Sequence, residues 1–204
     1  MRRAHNDSAL MRKMSEGAGR LIEDHLALAG QVELLLPTVN AVARRLIETY
    51  EAGGRLYSFG NGGSSCDAQH LAEELLGRFR RDRRALPAVC LSVDASVLTC
   101  IANDYGFDEV FERQVRGLAR TGDMVVGFTT SGRSKNVVRG LAAARELGCT
   151  TVLFGGGSGV PAADHADHAL VVPSDSTDRI QEMHVLLVHL LLEPVDVWAA
   201  DQKR

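Results

Sequence analysis

The sequence is poor in aromatic residues and has no excess of basic charge. Aromatic residues make up 5% of its 204 residues, with a single tryptophan, whereas apolar residues make up 45%. An aliphatic core of this kind is typical of α/β proteins rather than of aromatic-rich β-sandwiches. Basic charge is not in excess, since the formal net charge is −3. We therefore expect no nucleic-acid partner.

Paired cysteines and long apolar runs are also lacking. The four cysteines are widely separated, and no two are spaced as C-x-x-C. This predicts reduced, mostly buried thiols in a cytoplasmic protein. The longest apolar run, residues 185–192, is interrupted by His189 and is too short to cross a bilayer. The first ten residues are charged and polar rather than apolar as in a signal peptide, so we expect no membrane association.

Short apolar runs alternate with helical patterns from Arg55 onward. This alternation predicts parallel βαβ units in a three-layer, flavodoxin-like α/β fold with a five-stranded sheet. Ligands of such sheets bind beyond the carboxyl ends of the strands. The predicted strands are residues 56–59, 88–92, 123–129, 150–155 and 168–172.

The first fifty residues have the three- and four-residue apolar spacing of helices over residues 10–29 and 32–50, separated by Gly30. We interpret them as an N-terminal helical hairpin, residues 1–53, that takes part in oligomer packing. Residues 54–204 then form the α/β domain, and the whole is one structural domain. A last helix is predicted over residues 177–198, with a bend at Pro194.

A glycine-rich loop, residues 60–65, follows the first predicted strand. Glycine lets the backbone approach a ligand, and the next helix N-terminus favours an anion. Ser65 stands where a dinucleotide fingerprint requires glycine, so a nicotinamide cofactor is disfavoured. An ordinary tight turn explains this loop equally well.

A second loop, residues 129–134, contains four hydroxyl side chains around Gly132 and precedes a predicted helix. Hydroxyls and free backbone N–H groups are the donors that a phosphate monoester needs. The alternative is that Ser131 or Ser134 simply caps the helix. A cap needs one hydroxyl, so four favour a phosphate site.

His70 and Glu74 lie one turn apart on the predicted helix after the first loop, which puts them on one face. An imidazole and a carboxylate form half of a zinc site. His189 lies in an apolar stretch, where an unpartnered imidazole is costly to bury. The alternative for His70 and Glu74 is a solvent-exposed helix face without a ligand. The alternative for His189 is a core histidine whose hydrogen bonds are satisfied within the protein.

Two further tracts have simple interpretations. The basic run of residues 78–84 is read as a solvated helix end, with a subunit or nucleic-acid contact as the alternative. Residues 155–159 are interpreted as a flexible loop, because four of these five residues are glycine.

Four segments together resemble the phosphoheptose isomerases of the sugar isomerase (SIS) domain superfamily. They are GNGGSSCDAQHLAEEL, CIANDYGFDEVF, TTSGRS and DRIQEMHVLLVH, in the family's order and near its spacing. The resemblance covers about residues 55–192. It implies an aldose-ketose isomerase that converts sedoheptulose 7-phosphate to D-glycero-D-manno-heptose 7-phosphate through an enediol, in a homotetramer with active sites at subunit interfaces.

The resemblance also implies residue roles. Glu74 and His189 are the implied acid/base pair, and one zinc per subunit is held by His70, Glu74, Gln181 and His189. The implied substrate contacts are Asn61, Gly62, Gly63, Glu74, Asn103, Asp104, Thr129, Thr130, Ser131, Ser134 and Gln181.

Gln181 and His189 are eight residues apart, about 12 Å along one helix. Their side chains converge, or the site uses two chains, or one contact is loose. Two rival functions remain: a non-catalytic SIS protein that associates with the bacterial replication initiator, and an isomerase of another sugar phosphate. The presence of both Glu74 and His189 favours an enzyme.

Overall fold

The computed structural model describes residues 2–202, with side chains at Met11 and from residue 14 onward. Within this range lie five strands and seven α-helices. The strands are β1 (Leu56–Gly60), β2 (Ala88–Cys90), β3 (Met124–Thr129), β4 (Thr150–Gly156) and β5 (His168–Val172). The helices are α1 (Arg2–Val32), α2 (Leu36–Glu51), α3 (Gly63–Leu76), α4 (Ala95–Tyr105), α5 (Val110–Leu118), α6 (Lys135–Glu146) and α7 (Thr177–Asp201).

The five strands form one parallel sheet in the order β2-β1-β3-β4-β5. This is the flavodoxin-like order, so the predicted fold class is confirmed. Both faces of the sheet are covered, which is why the strands are continuously apolar rather than alternating. Leu56 and Met124 face a layer built from α2, α3 and α7. Tyr57 and Val125 face the opposite layer, built mainly from α5 and α6.

Two element boundaries differ from the sequence-based prediction. Strand β2 ends at Cys90, because the Ser92 hydroxyl pairs with the backbone of Gly60 instead of extending the ladder. Gly30 lies inside α1, and the break falls at the 3-10 turn Glu33–Leu35, just before Pro37. Proline favours the first turn of a helix, and it marks the start of α2 more strongly than the glycine marks the end of α1.

The N-terminal helices pack on α7. Side chains of α2, among them Val39 and Leu46, belong to the same core cluster as those of α3 and α7. A single structural unit is consistent with this packing. The division of the chain between residues 53 and 54 stays a prediction. The first residue of the predicted hairpin, Met1, and the last two residues of the predicted α/β domain, 203–204, lie outside the described residues.

Two helical stretches, Met14–Glu51 and Thr177–Asp201, are long and apolar enough to cross a membrane by length and composition. Half of the apolar window in Thr177–Asp201 is buried inside the protein, compared with 28% in Met14–Glu51. Core helices have this composition too, and α7 packs against the sheet and three other helices. The apolar side chains of α7 therefore supply the core.

Candidate active site

Helices α3 and α7 carry all of the predicted catalytic and metal-binding side chains. They lie side by side on the same face of the sheet and run in the same direction. Gly63 at the start of α3 is beside Gln181, and Asp67, one turn on, is beside His184. The next turns bring His70 to His189. Residues far apart in the chain therefore meet in matching rows along the two helices.

His70, Glu74 and His189 form a compact cluster. One potential ligand atom from each lies within 4.8 Å of the others. The His70 Nε2 to Glu74 Oε1 distance is 3.3 Å, and the two imidazole rings are 5.1 Å apart at an angle of 82°. The His70 and Glu74 side chains are 29% and 15% exposed. The cluster is thus sheltered but open to a small ligand.

The His189 imidazole is held in its neutral form. Burial lowers the pKa of His189 below its ordinary value and the neighbouring His70 lowers it further, while Glu74 acts in the opposite direction. A neutral imidazole has a free lone pair, so it can bind a metal ion or accept a proton. The ring of Phe79 stacks on His189 with the ring centroids 5.6 Å apart.

Gln181 lies at the other end of the paired helices. A Cβ atom added to Gly63 would be 2.1 Å from Gln181 Nε2, so the amide rests on the backbone at the start of α3. His70 is seven residues further along α3, about 10 Å away along the axis. The amide is therefore placed by the first glycine loop, and its role as a fourth metal ligand stays a prediction.

The first glycine loop is fixed by side-chain amides. Asn61 and Asn136 exchange two hydrogen bonds, of 2.8 and 2.9 Å, which join this loop to the first turn of α6. Asn136 is buried and was not among the predicted site residues. Its only signal in the sequence is an amide in the first turn of the helix that follows the hydroxyl-rich loop. Gly62 and Gly63 remain exposed beside it, without side chains to block a ligand.

The hydroxyl-rich loop does not use its serine to cap α6. Ser134 is at the N-cap position but its side chain makes no capping hydrogen bond, and its Oγ is 3.3 Å from Thr129 Oγ1. Ser131 Oγ accepts from the backbone N–H of Arg133 within the loop. The capping alternative is therefore wrong for Ser134. Thr130 lies beside these residues, and its carbonyl faces Gly156.

The glycine tract of residues 155–159 begins inside β4 and contacts the hydroxyl-rich loop. Strand β4 extends through Gly156, and Gly157 N–H donates to the carbonyl of Ser174. Gly132 has a φ of +68°, and a Cβ there would lie 2.4 Å from the carbonyl carbon of Gly159. The loop interpretation is therefore wrong for Gly155 and Gly156, which belong to β4, and glycine permits the close backbone contact between residues 132 and 159.

The chain was compared with known proteins. The SIS domain matches residues 23–156, more than half of the chain. A phosphoheptose isomerase of Roseiflexus sp. is 50% identical over 165 residues, 81% of this chain and 84% of the relative. That of Aquifex aeolicus is 48% identical, covering 81% and 86%. The solved phosphoheptose isomerase of Neisseria gonorrhoeae superposes with a TM-score of 0.86 and 37% identity, covering 90% of this chain and 99% of that one.

The chain belongs to the phosphoheptose isomerases of the SIS domain family. Identity and coverage at this level make it an isomerase, as the sequence resemblance implied. The first glycine loop and the hydroxyl-rich loop follow β1 and β3 at the carboxyl edge of the sheet, where ligands of such folds bind, and the cluster of His70, Glu74 and His189 lies further along α3 and α7.

The last helix of this isomerase carries two histidines with different environments. His184 is fully buried, and its Nε2 lies 3.1 Å from the carbonyl oxygen of Gly155. Its Nδ1 is 3.7 Å from Asp67 Oδ2, and neither of these atoms has a hydrogen-bond partner. His184 is therefore the core histidine of α7, whereas His189 faces the cluster with Glu74.

Asn103 and Asp104 lie on the exposed side of α4. Asn103 Nδ2 donates to Asp104 Oδ1 at 2.7 Å, and the Cys100 thiol is 3.7 Å from Asp104 Oδ2. These contacts hold the two side chains to their own helix, so their implied substrate contacts stay a prediction.

Cys66 and Cys100 are exposed while Cys90 and Cys149 are buried, so the thiols are free but only half are buried.

Replacing Gly132 with alanine is expected to disturb the hydroxyl-rich loop of this isomerase. The new Cβ meets backbone that cannot move aside, at a positive φ that alanine tolerates poorly. We expect the free energy of unfolding to fall by about 1–3 kcal/mol and the KM for a sugar phosphate to rise. Thermal unfolding and steady-state kinetics measure both. Gly117→Ala is the control, because that glycine lies in α5 with open space around it. Equal effects of the two variants would contradict the prediction.

Proposed function

We propose that this enzyme converts sedoheptulose 7-phosphate to D-glycero-D-manno-heptose 7-phosphate. The observation that carries the proposal is the meeting of Glu74 and His189, from two helices, within 4.8 Å of each other and of His70. Two groups that can each hold a proton, close enough to touch one small ligand, are what a ketose–aldose conversion requires. The phosphoheptose isomerases similar to this chain support the same substrate class.

The reaction moves a proton from C1 to C2 of the substrate. One side chain of the Glu74 and His189 pair removes a proton from C1 while the carbonyl oxygen on C2 takes up a proton, which gives an enediol. A proton is then delivered to C2 and the C1 hydroxyl gives up its proton, which leaves an aldehyde at C1 and a hydroxyl at C2. Which of the two side chains removes the first proton is left open, because a carboxylate that also binds metal is a weaker base.

The hydroxyl-rich loop binds the phosphate in this proposal. Thr129, Thr130, Ser131 and Ser134 surround the N-terminus of α6, where backbone N–H groups and the helix dipole favour an anion. Holding the phosphate far from the reacting carbons fixes those carbons against the acid/base pair. The first glycine loop, with Asn61, Gly62 and Gly63, and the amide of Gln181 would line the sugar chain. Asn103 and Asp104 are proposed to contact the substrate as well.

The cluster fits a zinc ion. Two imidazoles and one carboxylate are the donors that catalytic zinc sites use, with a further position left for substrate. His70, Glu74 and His189 would hold the ion, and Gln181 is proposed as the fourth ligand. When bound, zinc polarises a carbonyl and stabilises negative charge on oxygen. The family resemblance further supports one zinc per subunit in a cytoplasmic homotetramer with active sites at subunit interfaces.

The test is direct incubation with sedoheptulose 7-phosphate, followed by NMR for the appearance of the aldose. The purified enzyme is expected to form the heptose phosphate, to lose activity in a chelator and to regain it with added zinc. Ribulose 5-phosphate and fructose 6-phosphate are the comparison substrates. Turnover of either of these, with none of sedoheptulose 7-phosphate, would assign another substrate. Turnover of no sugar phosphate by the zinc-loaded protein would overturn the proposal.

Activity should persist into mildly acidic solution. His189 acts as a neutral imidazole, and its pKa is lowered, so protonation requires a pH below the ordinary imidazole value of about 6.5. As the pH falls, kcat/KM is therefore expected to decrease only below about pH 6.5. A metal ion bound to His189 would also move this decrease of kcat/KM to lower pH. A pH profile of the zinc-loaded enzyme with a half-maximal point above this value contradicts the assignment.

A further inference from the structure

Although Arg78, Arg80 and Arg84 are exposed, as expected of a solvated helix end, the basic run at residues 78–84 also contains the buried Arg83. It follows the end of α3 and is fastened to α7 by ion pairs. Arg80 and Arg81 both bind Glu193, at 2.9 and 3.1 Å, and Arg83 Nε donates to Asp196 Oδ1 at 3.0 Å. This part of the run, residues 79–84, is called the arginine segment below.

Arg83 is the buried anchor of the arginine segment. Its side chain and that of Asp196 are each 1% exposed. The guanidinium also donates to the backbone carbonyls of Leu75 at 2.9 Å and Glu74 at 2.6 Å. The last carbonyls of a helix have no partner within the helix, and a cation there also suits the helix dipole. Arg83 therefore caps the end of α3 through the backbone of Glu74 itself.

Phe79 places the other end of the arginine segment on His189. Its ring stacks on the imidazole with centroids 5.6 Å apart and an interplanar angle of 29°. Arg80 lies over the outer side of the same Phe79 ring, at 4.9 Å. Glu193 and Asp196, the anchors on α7, follow His189 by four and seven residues and so share its face of the helix.

We propose that the arginine segment positions both members of the acid/base pair, Glu74 through Arg83 and His189 through Phe79. The inference rests on the proposed function, because it assigns the segment a role at that same site. Arg83 and Phe79 are positioning residues, since neither needs to contact substrate. Groups that orient metal ligands typically change metal affinity or activity about 10- to 100-fold when altered.

Phe79→Leu and Arg83→Lys are the test variants. Leucine keeps apolar volume but removes the flat ring, and lysine keeps the charge but cannot bond several carbonyls at once. We expect each to weaken zinc binding about 10-fold, measured against a competing chelator, and to lower kcat more than it changes KM. Phe79→Tyr keeps the ring and should restore zinc affinity to near the wild-type value. Phe107→Leu and Arg116→Lys are matched controls at exposed positions away from the cluster.

A readout independent of turnover separates this inference from the proposed function. In metal-free protein, the nuclear Overhauser cross-peaks between the His70 and His189 rings, which are 5.1 Å apart, are expected to weaken in Phe79→Leu and to be unchanged in Phe107→Leu. If the wild type neither binds zinc nor isomerises sugar phosphates, the proposed function fails while these cross-peaks still report on the segment. Unchanged cross-peaks in Phe79→Leu, or a lower melting temperature with unchanged zinc affinity, would overturn the positioning role.

Discussion

Glu74→Gln is expected to lower kcat by about 10²- to 10⁴-fold, the range that positioned acid/base groups contribute. Glutamine has nearly the same shape as glutamate but cannot accept a proton, and it is a poorer ligand for a divalent cation. The side chain is only 15% exposed and lies 3.3 Å from His70 Nε2. The fold should survive, because the backbone carbonyl that Arg83 caps is unchanged in the variant.

The measurement is turnover at saturating substrate, with zinc content and circular dichroism determined on the same preparation. Exchange of the C1 proton with solvent deuterium then separates proton removal from later steps. Glu73→Gln is the matched control, since Glu73 precedes Glu74 on α3 and is exposed. Near-normal turnover by folded Glu74→Gln would remove Glu74 from the mechanism.

His189→Asn is expected to produce a loss of similar size for a different reason. Asparagine removes the imidazole and with it the neutral nitrogen that burial and His70 maintain. It also removes the stacking contact with Phe79. The variant should therefore lose both a proton carrier and one of the two imidazoles in the predicted metal site.

Zinc titration and turnover together distinguish these two losses. An excess of zinc that refills the site without restoring turnover assigns His189 to acid/base chemistry. Full recovery of activity at high zinc assigns it to metal binding alone and removes it from the acid/base pair. His165→Asn is the control, because His165 lies in the 3-10 turn Ala162–His165, which packs against α6 in the layer opposite to α3 and α7.

The sequence predicted the fold because local and global signals agree along this chain. Each strand is a short, mostly apolar run, and every strand but β4 is followed by a helical pattern, which favours a parallel sheet covered on both faces. The observed β4 and β5 begin at the predicted residues. The Gly30 boundary was wrong because a single glycine within a strong helical pattern is tolerated.

The sequence also pointed to His70 and Glu74, since a spacing of four residues fixes two side chains on one helix face. The residue pattern alone left His189 open between a site residue and a core histidine, and the family resemblance assigned it to the site. His184 and His189 are five residues apart, about 140° around the helix, so they point in different directions. Apolar residues surround both, and the pattern alone does not say which face of α7 meets the sheet.

What the sequence by itself determined is the order of elements, the parallel sheet and the position of each polar loop at a strand end. These follow from hydrophobic periodicity and turn chemistry, which act over a few residues. Only the tertiary structure decided the partners across long separations. It set the basic run on Glu193 and Asp196, the glycine tract against Gly132, and His189 beside Glu74. Such contacts depend on how two helices or two loops pack, and no spacing within one segment encodes that.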